Sequence, residues 1–84
     1  MVGKISLEVV TPEKLIVKED VDEVVVPGIF GEFGILPGHT TFLTELGTGP
    51  LSYSKGGKSI THTIRGGFAE VRDDHVTILA DSVD

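Results

Sequence analysis

Twelve residues, Pro27 to Gly38 (PGIFGEFGILPG), constrain this chain more than any other stretch, because six of them are glycine or proline. Gly28, Gly31, Gly34 and Gly38 are free to take positive φ angles. Pro27 and Pro37 fix φ and remove two backbone donors. A helix does not survive that spacing, and neither does a plain strand. The glycines alternate with Ile29, Phe30, Phe33, Ile35 and Leu36, so the segment is a tightly turning piece with bulky side chains to bury, unlike a flexible linker. Glu32 is its one charge, placed where a rigid, glycine-flanked turn presents it to a partner.

Around this segment the pattern is of short strands. Ile5, Leu7 and Val9 alternate with Ser6, Glu8 and Val10, the period of a half-buried strand, and Thr11-Pro12 closes it. Leu15 to Lys18 is rich in β-formers, and the acidic group Glu19, Asp20, Asp22 and Glu23 reads as a solvated turn and strand edge, where charge discourages pairing with other chains. Val24 to Val26 follows. His39 to Leu46 admits a short helix, but its three threonines and flanking glycines favour a strand. Leu51 to Ser54 is a strand, and Lys55-Gly56-Gly57-Lys58 a hairpin loop. Ser59 to Arg65 alternates again, Gly66-Gly67 breaks or bulges that strand, and Phe68 to Arg72 resumes it. After the turn at Asp73-Asp74, Val76, Ile78 and Ala80 alternate against Thr77 and Leu79. The reading is all-β, with about eight to ten short strands in a mostly antiparallel sandwich or barrel.

Eighty-four residues make a single domain, 1–84, with too little length for a second core. A net charge of -6 with dispersed basic residues argues against nucleic acid or an anionic membrane surface as the main ligand. With no cysteine there is no disulfide framework and no thiolate metal site. No run approaches the ~20 apolar residues of a membrane span, so no direct membrane insertion is expected.

Catalytic readings find little support. The glycine spacing is not that of a dinucleotide fingerprint, and no helix follows it. Gly57-Lys58-Ser59 imitates the end of a phosphate loop, but the position where the motif needs its first glycine holds Ser52 and the loop joins two strands. His39, His62 and His75 lack metal-ligand spacing. His62 shares a face with Ile60 and Ile64 and reads as a packed or interface side chain, His75 as a turn residue. His39 follows a Pro-Gly turn and suits a binding role as well as a structural one. With no nucleophile elbow or thiol, no cofactor, metal or small-molecule substrate is expected, and the chain is not read as an enzyme acting alone.

Three motifs in order then point to a family: Gly31-Glu32-Phe33-Gly34-Ile35-Leu36-Pro37-Gly38-His39, Gly66-Gly67-Phe68-Ala69-Glu70-Val71, and Val76-Thr77-Ile78-Leu79-Ala80-Asp81. Together with Leu7 to Pro12 they resemble the N-terminal β-sandwich domain of the epsilon subunit of rotary proton-translocating ATP synthases, over nearly the whole chain. The resemblance implies a flattened sandwich of two mostly antiparallel sheets. It implies a noncatalytic place at the foot of the central stalk, on the cytoplasmic face of an energy-coupling membrane such as the bacterial plasma membrane, held there through other subunits. The gamma subunit and the c-ring are the implied partners. By that resemblance the turn at Glu32 faces the ring, while His39, Leu43 and Thr44, with Thr11 at the end of the first strand, lie toward gamma. Members commonly continue into two C-terminal helices that inhibit ATP hydrolysis and in some bacteria bind ATP. A chain stopping at Asp84, whether truncated or naturally short, is expected to lack that arm. Two other classes are the alternatives: a freestanding β-sandwich module for sugar or peptide, which needs an aromatic-lined groove, and a small cupin-like enzyme, which needs a metal triad.

Overall fold

In a computed structural model, which describes residues 3–38 and 41–84, seven strands and no helix are present among the described residues. They are β1 Ile5–Val10, β2 Leu15–Val21, β3 Glu23–Gly28, β4 Gly31–Ile35, β5 Phe42–Lys55, β6 Lys58–Arg72 and β7 His75–Val83. One hydrogen-bonded ladder joins all seven in the order β2-β1-β7-β6-β5-β3-β4. Every pairing is antiparallel except β1 with β7, where the first strand lies parallel to the last.

That order forces the sheet to fold on itself. β2 is the first strand of the ladder and β3 the sixth, yet Asp22 alone separates them in sequence. Five strand spacings laid flat would span about 24 Å, and one residue reaches only about 3.5 Å. The two ends of the ladder therefore meet, and side chains from both layers fill the space between them. Leu7, Val9, Val24, Val26, Leu51, Ile64 and Ile78 are all fully buried there.

The fold is made by bends in β5 and β6. Along β5 the inward positions run Leu46 then Leu51, and along β6 Ile64 then Ala69. Both steps span an odd number of residues, so each strand changes phase once and turns its other face to the core. Gly47 lies at the first shift and Gly66-Gly67 at the second, with φ of +66° and +122° at the latter pair. At Gly67 a Cβ would stand 2.0 Å from the carbonyl oxygen of Leu79. Only glycine permits β6 to cross β7 this closely.

The all-β sandwich expectation holds, but against about eight to ten short strands the described residues form seven. What read as separate strands on either side of Gly47–Pro50, and of Gly66-Gly67, are single long strands of 14 and 15 residues. A glycine pair that looks like a terminator in sequence is here a bend. The two layers accordingly belong to one continuous sheet, and His39 to Leu46 contributes the start of β5 where it is described.

Turns follow their chemistry. Gly56 and Gly57, at φ +58° and +81°, make the tight β5–β6 hairpin, and Asp73 and Asp74, at +49° and +60°, make the same kind of turn without glycine. The acidic group that runs from the end of β2 into β3 sews the layers together. Glu19 accepts hydrogen bonds from Lys55 at 2.8 Å and from the Tyr53 hydroxyl at 3.1 Å, and these hold its carboxyl below the usual carboxylate range. Asp22 pairs with Lys4 and accepts the Gly56 N–H at 3.0 Å, with the same downward effect. His62 stacks near Tyr53, ring centroids 6.3 Å apart.

Candidate functional site

The outward face of β1, β7, β6 and β5 carries apolar side chains where a solvated face would be polar. Register places Leu15, Val10, Leu79 and Phe68 side by side across β2, β1, β7 and β6, and Glu45 continues the row on β5. Leu43 stands two residues before Glu45 on the same side of β5. Leu15, Leu79, Phe68 and Leu43 are 50%, 53%, 49% and 67% exposed. In the middle of this row an open groove of about 290 Å³ is bounded by Val10, Thr11 and Pro12 on one side and by Phe68, Leu79 and Asp81 on the other. Acidic residues rim the patch: Glu45 opposite Phe68, Glu70 opposite Leu43, and Asp81 two residues after Leu79. No salt bridge holds any of these three within the described residues.

Thr11 is the least exposed of the described residues singled out from sequence. It is a buried polar residue whose N–H donates to the Lys14 carbonyl at 2.9 Å, while its Oγ1 accepts from the Lys14 N–H at 3.2 Å. Its hydroxyl is engaged in closing the β1–β2 turn, and Thr11 shapes the groove wall more than it offers a hydrogen bond. Leu43 lies on the apolar face. Thr44, the next residue, points the other way, half-buried on the side of Ala69. The fold therefore brings Thr11 and Leu43 to one face and leaves Thr44 off it. His39 lies outside the described residues. Phe68 and Leu79, which connect Thr11 to Leu43, were not picked out as site residues. Their signal was present as apolar residues out of phase with Ala69, Val71, Ile78 and Ala80.

Glu32 belongs to a separate surface, the β3–β4 hairpin, where it is exposed on β4 opposite Pro27. The turn itself consists of Ile29 and Phe30, 46% and 98% exposed. Beneath it the Phe33 ring rests against Gly28, where a Cβ would stand 3.1 Å from the ring, and meets Phe42 at 5.2 Å between centroids. Among the described residues no three His, Asp or Glu side chains converge to hold a metal ion, and no helix is long and apolar enough to cross a membrane.

The architecture is thus a β-sandwich with an apolar outer face and a prominent hairpin. Residues 4–84 match the family model described as the ATP synthase, Delta/Epsilon chain, beta-sandwich domain, and the chain belongs to that family. Relatives named ATP synthase epsilon chain are 50% identical in Nitratidesulfovibrio vulgaris (strain Miyazaki F) and 44% identical in Geobacter metallireducens, each over all 84 residues. The chain spans 63% and 61% of those two relatives' lengths. In solved structures, it superposes on a chain of the Euglena gracilis mitochondrial ATP synthase (OSCP/F1/c-ring) with a TM-score of 0.91 and 30% identity, covering 98% of this chain and 53% of that one. A chain of the Tetrahymena thermophila mitochondrial central stalk and c-ring gives 0.82 at 18% identity, covering 96% and 66%, a likeness of fold alone.

Proposed function

We propose that this chain is the N-terminal sandwich domain of a noncatalytic central-stalk subunit, which binds gamma through its apolar outer face and contacts the c-ring through its β3–β4 hairpin. In that place it transmits proton-driven ring rotation toward ATP synthesis, held peripherally at the cytoplasmic face of the energy-coupling membrane. The observation that carries the reading is the row of Leu15, Leu79 and Phe68, with Val10 half-buried among them and Leu43 beside it, left in water on a chain of this family. Each such side chain gains about 1.5–3 kcal/mol when fully buried, so a fold this small has reason to keep them outside only if something covers them. A stiff sheet presents them without ordering cost on binding. Thr11 shapes the groove between them, and the acidic rim selects a partner with basic flanks, acting on orientation and encounter rate more than on affinity. Glu32 and His39 keep their expected roles in specificity, Glu32 toward the ring and His39 toward gamma. Thr44 supports the gamma-facing strand from its inner side.

Calorimetric titration of the chain into purified gamma tests the reading, with Leu43→Ser/Phe68→Ser as the comparison. Two central apolar anchors removed should weaken binding by about 100-fold or more, with an unchanged β-sheet circular dichroism spectrum. Equal binding by the folded double variant would move the gamma site off this face.

A further inference from the structure

The β6–β7 turn holds an aspartate where its geometry favours glycine. Asp73 and Asp74 take φ of +49° and +60°, and a turn with two positive φ angles is ordinarily closed by glycine at its second central position, as Gly56-Gly57 closes the β5–β6 hairpin. Asp74 has a use that glycine lacks. Its Oδ1 accepts the Gly38 N–H at 2.7 Å, across 36 residues of sequence, while its carbonyl accepts the Ser6 N–H at 2.9 Å. The turn is thus moored to β1, and its side chain reaches out to the segment that leaves the edge strand β4. That segment is held from another side as well, for a Cβ on Gly3 would stand 3.4 Å from the Pro37 Cβ. β4 pairs with β3 alone and its ladder ends at Ile35, after which Leu36 is left 57% exposed. The register of Phe42 with Val71 and of Val71 with Val76 puts the start of β5, and hence Leu43, at the same end of the sandwich as this turn.

We propose that Asp74 is a positioning residue for the face assigned to gamma, holding the Leu36–Gly38 segment so that Leu36 extends the apolar contact that begins at Leu43. The inference rests on the stalk reading above and deepens it. A contact already fixed in the free chain costs less to order on binding, and an amide donating to a carboxylate is a strong form of the bond that fixes it. Substitutions at this position separate the tie from the turn. Asn keeps an acceptor oxygen and tolerates the left-handed backbone, whereas Gly keeps the backbone alone.

Calorimetric titration of the full chain into purified gamma, with amide hydrogen exchange of the free chain followed by NMR, tests the role. Asp74→Gly suits the turn, so it should keep or raise the urea midpoint. It should also speed exchange at the Gly38 amide about 10-fold or more and weaken gamma binding about 3- to 10-fold. Asp74→Asn should retain most of both, and Asp73→Gly, which removes the same charge one residue away, should change neither. Leu36→Ala should weaken binding, and Asp74→Gly added to it should cost little more, because the tie acts through Leu36. Faster Gly38 exchange with unchanged affinity, equal weakening by Asp73→Gly and Asp74→Gly, or full additivity with Leu36→Ala would each overturn the positioning role while leaving the gamma face in place. Failure of the unmodified chain to bind gamma would overturn the gamma reading and this inference together.

Discussion

At the scale of single residues, glycine governs the fold at one place above all. Gly67 sits where β6 bends over β7, and an added Cβ would meet the Leu79 carbonyl oxygen at 2.0 Å and the Ala80 Cα at 2.9 Å. Backbone of a central strand pair cannot give way as a flexible side chain would. Gly56, also at positive φ, has open space around it. Gly67→Ala should therefore cost about 4 kcal/mol or more, or prevent folding, by combining a steric clash with a strained φ. Gly56→Ala should cost about 1–2 kcal/mol, from the left-handed backbone alone. Urea denaturation of both decides the matter; equal losses would mean that the bend does not depend on Gly67. The sequence marked Gly66-Gly67 as a break or bulge, and that local reading was sound. Its consequence was not legible, because whether a glycine pair ends a strand or bends it depends on what lies across the sheet, here the Leu79 carbonyl.

Elements show the same division. Each strand's alternation could be read along the chain, so β1, β7 and the inward side of β6 were foreseeable residue by residue. Which outward residues become neighbours depends on register, and register joined Phe68 and Leu79 to Thr11 and Leu43 while Thr44 fell on the inner side. The acidic group at the end of β2 shows a related limit. It was readable as an edge, but the partners of Glu19 lie on β5, more than thirty residues away. That tie has a pH signature. The Lys55 and Tyr53 hydrogen bonds lower the Glu19 pKa from 4.5, so its contribution is present above that value and lost as pH falls through the lowered one. Tyr53 is raised from 10.0, first by burial and then by Glu19, and Lys55 is raised from 10.5 by Glu19. Their contributions are present below those values and lost as pH rises through the raised ones. Thermal melts across pH should show a plateau falling at both ends, and Glu19→Gln should flatten both limbs. An unchanged profile in that variant would remove the link from any role in stability.

For the whole molecule, the governing fact is that the first strand pairs in parallel with the last, Val9 beside Ile78 and Leu7 beside Val76. The β5–β6 hairpin closes over a two-glycine turn, whereas β1 must find β7 across most of the chain. Local pairings form at small entropic cost and distant ones late. Leu7 in β1 and Leu51 in β5 make a matched pair for testing this, since both are fully buried leucines. Truncation of either to alanine should cost about 2–5 kcal/mol, a large share of the roughly 5–15 kcal/mol that such domains possess. The kinetics should differ: Leu51→Ala should slow folding, and Leu7→Ala should chiefly speed unfolding. Stopped-flow chevrons of both variants read this directly, and a Leu7→Ala that slows folding as much as Leu51→Ala would place β1–β7 docking in the folding nucleus. The stalk reading adds a second consequence. A partner that binds only the folded sandwich stabilises it by mass action, about 2.7 kcal/mol at a hundredfold excess over Kd. Purified gamma at that excess should therefore restore most of the stability lost in Leu7→Ala. It should not do so for Leu7→Ala combined with Leu43→Ser and Phe68→Ser, because the face proposed for gamma is then gone while the core defect is the same.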